Sequence, residues 1–165
     1  MVNYFNDNLV QTRNNLLKEI SSLKSDVFNN KPNKEKWSIA QVCHHLVLVE
    51  QATIIAVKWG LKENNRMNKD RKNIHLLLDR TIKRIAPKIV EPDEGPFEVQ
   101  QIIDMFHDSR EKLMDLLASI EDQSILMEIS VKHPSFGELP LHQWVEVVYL
   151  HEQRHIEQIK EGKSI

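Results

Sequence analysis

The sequence predicts an all-α protein, a four-helix bundle with one shorter extra helix. Three observations carry that expectation. Apolar residues recur at helical spacing through four long stretches. The 4 glycines and 6 prolines are concentrated between those stretches, where chain breaks belong. Strand-like alternation is almost absent.

The first stretch runs from about Tyr4 to Phe28, with Phe5, Leu9, Leu16, Ile20, Leu23 and Val27 near helical spacing, and "FNNKPNKEKW" ends it at Pro32. The second starts at Ser38, because Ser38-Ile39-Ala40-Gln41 has the form of a capping box, the serine hydroxyl and the glutamine side chain each serving a free backbone N–H. Its periodicity continues through Val42, Leu46, Val49 and Thr53 to about Lys62. The polar run "KENNRMNKDRKN" reads as a loop, and a shorter helix is expected from Ile74 to Ile85, closed by Pro87. After the breaker "EPDEGPFE", Val99, Ile102, Phe106, Leu113, Leu117 and Ile120 mark a long helix. Residues 122–140 mix short apolar runs with Pro134, Gly137 and Pro140, an ordered connection with one or two very short strands. The last helix spans about Leu141 to Glu161.

A chain of 165 residues fits one domain, 1–165, with a substantial core, and 41% hydrophobic with 28% charged residues argues against disorder. The formal net charge is -2 and no basic cluster stands out, so no nucleic-acid partner is expected. Cys43 is the single cysteine, which excludes an internal disulfide and fits a reducing cytoplasm. The first twenty residues lack a basic-then-apolar signal pattern, and the apolar runs are short for a membrane span. A soluble cytoplasmic protein with no membrane partner is the expectation.

Histidines occupy 44, 45, 75, 107, 133, 142, 151 and 155. The segment "YLHEQRHIEQ" contains H-E-x-x-H, the spacing of zinc metalloproteases. With eight histidines, chance gives about 0.4 such i,i+4 pairs per chain of this length, so spacing alone is weak. Placement adds weight: Leu141, Trp144, Val148, His151 and His155 form one stripe, which turns both imidazoles toward the bundle interior. There they serve either as a two-histidine metal clamp or as core histidines hydrogen-bonded to side chains or water. The protease reading lacks a third ligand. Position 158 is Gln where the longer protease motif has Gly, and Glu157 lies about 200° around the helix from His155. On the second helix His45 shares a stripe with Gln41, Val42, Val49 and Ala52, whereas His44 runs with Ala40, Val47, Leu48 and Gln51. Periodicity leaves both open as a third ligand. Cys43, about 200° from His45, reads as a small core residue.

"KWSIAQVCHHLVLVEQ" and "LPLHQWVEVVYLHEQRHIEQI" together resemble the DinB-like superfamily of bacterial four-helix metal proteins, which includes the bacillithiol S-transferases. The likeness covers nearly the whole chain: the Trp-Ser helix start, a histidine before leucine in helix two, the long third helix and the final His-x-x-x-His. It implies one divalent ion, zinc or nickel, held by His45, His151 and His155. Where many members carry further histidines around the last ligand, this chain has Gln153, Arg154 and Gln158.

Three imidazoles leave a coordination position open, the mark of a catalytic rather than a structural site. The resemblance implies transfer of a small-molecule thiol onto a small electrophile, in detoxification or stress response, with a homodimer as a further expectation. A metal-dependent hydrolase using bound water and a non-catalytic metal-binding or dimerisation protein are the alternatives. Glu152, next to His151, is the candidate general base or orienting group, against an ordinary solvent-facing glutamate paired with Lys or Arg. Trp37, Trp59 and Trp144 are expected to pack. "HPSFGELP" is either a lid carrying Phe136 or, more simply, a surface turn. His133 and His142 have no assignment, and His75 and His107 read as surface residues.

Overall fold

A computed structural model describes residues 4–66 and 70–164, with side chains from Asp7 onward. The side chain of Phe5, in the first stripe, and the centre of the polar loop, 67–69, lie outside what is described. Six helices and one hairpin follow in order: α1 (Tyr4–Ile20), α2 (Ser25–Asn29), α3 (Ile39–Glu63), α4 (Val99–Ala118), α5 (Ile125–Glu128), β1 (Ser130–His133), β2 (Gly137–Pro140) and α6 (Leu141–Gly162). The all-α expectation holds. α6 packs against α1 and α3, and α3 also packs against α4.

The capping box forms as read: Ser38 Oγ accepts from the Gln41 N–H at 3.1 Å, and Gln41 Oε1 accepts from the Ser38 N–H at 3.0 Å. α4 begins with a second reciprocal box between Glu98 and Gln101. Two expectations are corrected. The first stretch is not one helix: it turns at Ser21 and Ser22 and resumes as α2, which lets Phe28 reach the core with no exposed surface. The helix expected over 74–85 is one 3-10 turn, Ile74–Leu78, followed by irregular chain. Only Ile74 and Leu77 of that segment are buried, while Ile82 is 40% and Ile85 96% exposed, so no continuous apolar stripe holds a longer helix against the bundle.

The hairpin pairs Ser130 with Pro140 through His133 with Gly137. Gly137 has φ +68°, a left-handed conformation that favours glycine. The hairpin lies tight on α3 at Gly60, where a β-carbon would stand 2.8 Å from a methyl of Val131 and 3.0 Å from one of Leu141. α3 is the one described helix long and apolar enough to cross a membrane, but 72% of that window is buried within the fold, as befits a central bundle helix.

The apolar core has two parts. One surrounds the C-terminal half of α3, the hairpin and the start of α6; the other joins α1, α2, the start of α3, the start of α4 and the end of α6. Threaded through the bundle is a buried ion cluster. Arg13 Nη2 donates to Glu50 Oε1 at 3.2 Å and to Glu152 Oε1 at 3.3 Å, while Arg110 Nε donates to Glu50 Oε2 at 2.6 Å and its Nη2 to Glu152. Glu50 and Glu152 are 1% and 2% exposed. Ser109 donates to Glu50, Thr12 donates to Glu152, and Arg13 and Arg110 also reach the carbonyls of Phe106 and Leu9. Glu152 is therefore neither a solvent-facing glutamate nor free; it is an interior carboxylate shared by two guanidinium groups. Removing one member of such a cluster strands a buried charge at a cost of about 3–5 kcal/mol. Glu152→Ala is expected to lower the unfolding free energy by about that amount in urea titration; a loss as small as that of a surface pair would contradict this role.

Candidate metal centre

The capped start of α3 and the long axis of α6 bring three imidazoles together. His45 comes from the second turn of α3, and His151 and His155 lie one turn apart on α6. His151 Nε2 lies 3.3 Å from His45 Nε2 and 3.0 Å from His155 Nε2, and each residue offers one ligand atom within 4.8 Å of the others. A tetrahedral zinc site has nitrogen–nitrogen separations of about 3.3 Å, from metal–nitrogen bonds of about 2.0–2.1 Å.

Protons alone do not satisfy this arrangement. His45 Nδ1 is 2.7 Å from the Val90 carbonyl, which only accepts, so that nitrogen carries the proton and Nε2 bears a lone pair. His155 Nδ1 likewise donates to Gln158 Oε1 at 2.7 Å, leaving its Nε2 bare. His151 Nε2 therefore faces two lone pairs with at most one proton to share. A cation between the three nitrogens removes that conflict. The donor set, three neutral imidazoles, fits a divalent ion of the zinc or nickel type. His151 Nδ1 is buried without a hydrogen-bond partner among the described residues.

Burial keeps the rings neutral. It pushes the pKa of His45 down, against the Val90 hydrogen bond; it pushes His151 well down, with His155 and His45 adding to the effect; and it takes His155 to about 3. Neutral imidazole is the form that ligates.

The triad lies at the wall of a cavity of about 660 Å³. Trp37 stands 5.0 Å from the His45 ring, and Val42, Trp144 and Val147 add apolar surface. The irregular 80–90 segment and the tip of the hairpin, through His133, Pro134 and Ser135, complete the walls. "HPSFGELP" is thus a hairpin turn that forms one side of the cavity.

The remaining residues fall outside the triad. His44 is buried but turned to the 91–97 segment, its Nδ1 accepting from the Asp93 N–H at 3.0 Å and its ring 4.9 Å from Phe97. Cys43 is fully buried, does not line the cavity, and burial pushes its thiol pKa far up. Glu152 does not line the cavity either. His142 meets Arg71 at 2.6 Å, and His75 and His107 are exposed. Trp144 packs as expected, its Nε1–H donating to the Val131 carbonyl at 3.0 Å, but Trp59 is 54% exposed, which corrects its assignment to packing.

Sequence reasoning missed the groups that fix the ring tautomers. Gln158 sits three residues after His155, a spacing that places it over the same helix face and signals the contact. Val90 acts through its carbonyl, which no side-chain pattern announces. His133 also entered no assignment, because its place depends on the hairpin.

A family model described as the DinB superfamily matches residues 8–159. The chain is 31% identical over 160 residues to the uncharacterised protein YuaE of Bacillus subtilis (strain 168), an alignment covering 97% of this chain and 95% of that relative.

The histidine shifts all run downward from 6.5, so the unfolded chain binds protons more readily than the fold as the pH drops below that value. Metal-free protein should hold its stability above pH 6.5 and lose it as the pH falls toward the folded pKa of about 3 for His155. Melting temperature against pH tests this, with a shallower acid slope expected for His155→Gln; equal slopes would contradict it.

Proposed function

Because this chain belongs to the DinB superfamily, we propose that it is a divalent-metal enzyme that transfers a small-molecule thiol onto a small electrophile, in detoxification or stress response. The observation that carries this reading is the convergence of three Nε2 atoms, two of them bare by hydrogen bonding, at the wall of an open apolar cavity.

His45, His151 and His155 would hold a zinc or nickel ion, which would supply the Lewis acidity that lowers a thiol's pKa toward neutral pH. The protein's own groups do the rest. The Val90 carbonyl and Gln158 hold His45 and His155 in the ligating tautomer and fix their ring planes. Trp37, Val42 and Trp144 exclude water from one side of the site. No cysteine lines the cavity among the described residues, and Cys43 is buried elsewhere as a thiol, so the sulfur nucleophile comes from a co-substrate. The sulfur forms a bond to the electrophilic carbon as the bond from that carbon to the leaving group breaks; the leaving group takes that electron pair, and the thiol proton passes to solvent or to the leaving group.

This reading is favoured over the hydrolase. The carboxylate next to the triad in sequence, Glu152, is held by Arg13 and Arg110 and does not reach the cavity as a base.

Elemental mass spectrometry on tag-free protein is the first test: near-stoichiometric divalent metal in the wild type, lost in His45→Ala and in His155→Ala. Cobalt-substituted protein should then develop a thiol-to-metal charge-transfer band and consume thiol only when an electrophile is supplied. A metal that binds equally well in both variants, or a cobalt protein with no spectral response to any thiol, would sink the proposal.

A further inference from the structure

The cavity beside the triad has a charge pattern at odds with the rest of the molecule. The chain carries a formal net charge of -2, yet among the described residues Lys36, Arg80, Lys83, Arg84 and Arg154 line this cavity against two carboxylates, Glu35 and Glu161. Two of the arginines are already engaged. Arg80 grips Glu161 through paired bonds of 2.6 and 2.8 Å. Arg154 donates to the carbonyls of Leu77, Asp79 and Ile82 at 2.8–3.1 Å and thereby ties down the irregular segment.

Arg84 is different. Its guanidinium lies over the Phe136 ring, 5.5 Å from the centroid; its Nε is buried without a hydrogen bond; and it has no carboxylate partner among the described residues. A guanidinium placed over an aromatic ring, with an N–H left unpaired, has donor capacity to offer a planar anion. The cavity's positive charges are close enough to act on one another: burial lowers the pKa of Arg154, and the charges of Arg84 and Arg80 lower it further.

His133 shares the same ring and the same cavity. Its imidazole lies 5.3 Å from Phe136 and 4.6 Å from Trp144, the residue that packs beside the triad. His133 Nδ1 accepts the Ser135 N–H at 2.9 Å, so in the neutral ring the proton is on Nε2, which becomes a donor. Burial, with the charge of Arg84 adding to it, keeps the ring neutral by lowering its pKa to about 4.

We propose that Arg84 and His133, which both line the cavity and both lie against the Phe136 ring, form an anion subsite in the cavity wall, and that one reactant of the enzyme carries a carboxylate which docks there. The assignment of that anion to a reactant rests on the thiol-transfer reading; the subsite itself does not. The apolar walls take the body of the reactant, the subsite takes its carboxylate, and the reacting atom is thereby aimed at the triad. The carboxylate belongs either to the thiol or to the electrophile, and the two sources are separable.

Isothermal titration of succinate into metal-free protein at low ionic strength reads the subsite without metal ligation. Wild type should bind it, the neutral diamide of succinate should not bind, and Arg84→Gln should weaken binding by about tenfold or more. Arg84→Lys, which keeps the charge but not the fork, should recover part of the loss, and Lys88→Gln, outside the cavity, should bind as wild type does. No heat with wild type, or equal affinity in Arg84→Gln, overturns the proposal. In cobalt protein, charge-transfer titrations with mercaptosuccinate and 2-mercaptoethanol assign the source. A preference for mercaptosuccinate that Arg84→Gln abolishes puts the carboxylate on the thiol. Equal affinities, with succinate still bound beside either thiol, put it on the electrophile. Succinate binding without any thiol band leaves the subsite standing and removes the thiol-transfer reading instead.

Discussion

The buried cluster of Arg13, Arg110, Glu50 and Glu152 is the constraint on which the rest depends. Two carboxylates on α3 and α6 meet two guanidinium groups from α1 and α4, so all four long helices are tied at one level. Such a cluster adds little net stability over a well-packed apolar core, but it tolerates only one rotation of each helix, because any other leaves a charge unpaired in the interior. Glu50 follows His45 by five residues on α3, and Glu152 follows His151 directly on α6. Fixing the carboxylates on one side of the α3–α6 pair turns the imidazoles to the other. The ion cluster and the histidine triad are therefore two faces of the same helix registration.

Much of this was legible in the sequence because it is local. The Ser38 box, the helical stripes of α3, α4 and α6, and the i,i+4 histidines are all written within one or two turns of chain. What was not legible depends on distant partners. Glu152 lies 139 residues from Arg13, and nothing in its neighbourhood distinguishes an interior carboxylate from a surface one. The break between α1 and α2 falls at two serines with no glycine or proline to mark it. The 74–85 segment misled in the opposite sense: its isoleucines recur at helical spacing, yet several face the cavity mouth or solvent rather than the core. Apolar periodicity reports a need for burial and says nothing of whether protein or ligand provides it.

The cavity divides by origin into a rigid and a variable part. The histidines stand on α3 and α6, whose packing is held by the core and the ion cluster. The opposite walls come from the irregular 80–90 segment and the hairpin tip, with Arg84 and His133 among their residues. Helices hold functional groups in precise geometry, while connecting segments change length and sequence at small cost to the fold. Membership in the superfamily thus speaks to the first part, and under the proposed function the second part would decide which reactants fit.

The hydrogen-bond partners of the triad histidines bear on the charge of the site. The groups that accept from His45 and His155 are a backbone carbonyl and a glutamine amide, both uncharged, where metal sites elsewhere often place a carboxylate. No negative charge feeds back through either ring. A divalent ion held by three such imidazoles would not be neutralised by its protein ligands, in a cavity whose lining is apolar with more cations than carboxylates. The centre would then act as an unneutralised dication, and the cheapest way to quench it is for an incoming ligand to arrive, or become, an anion.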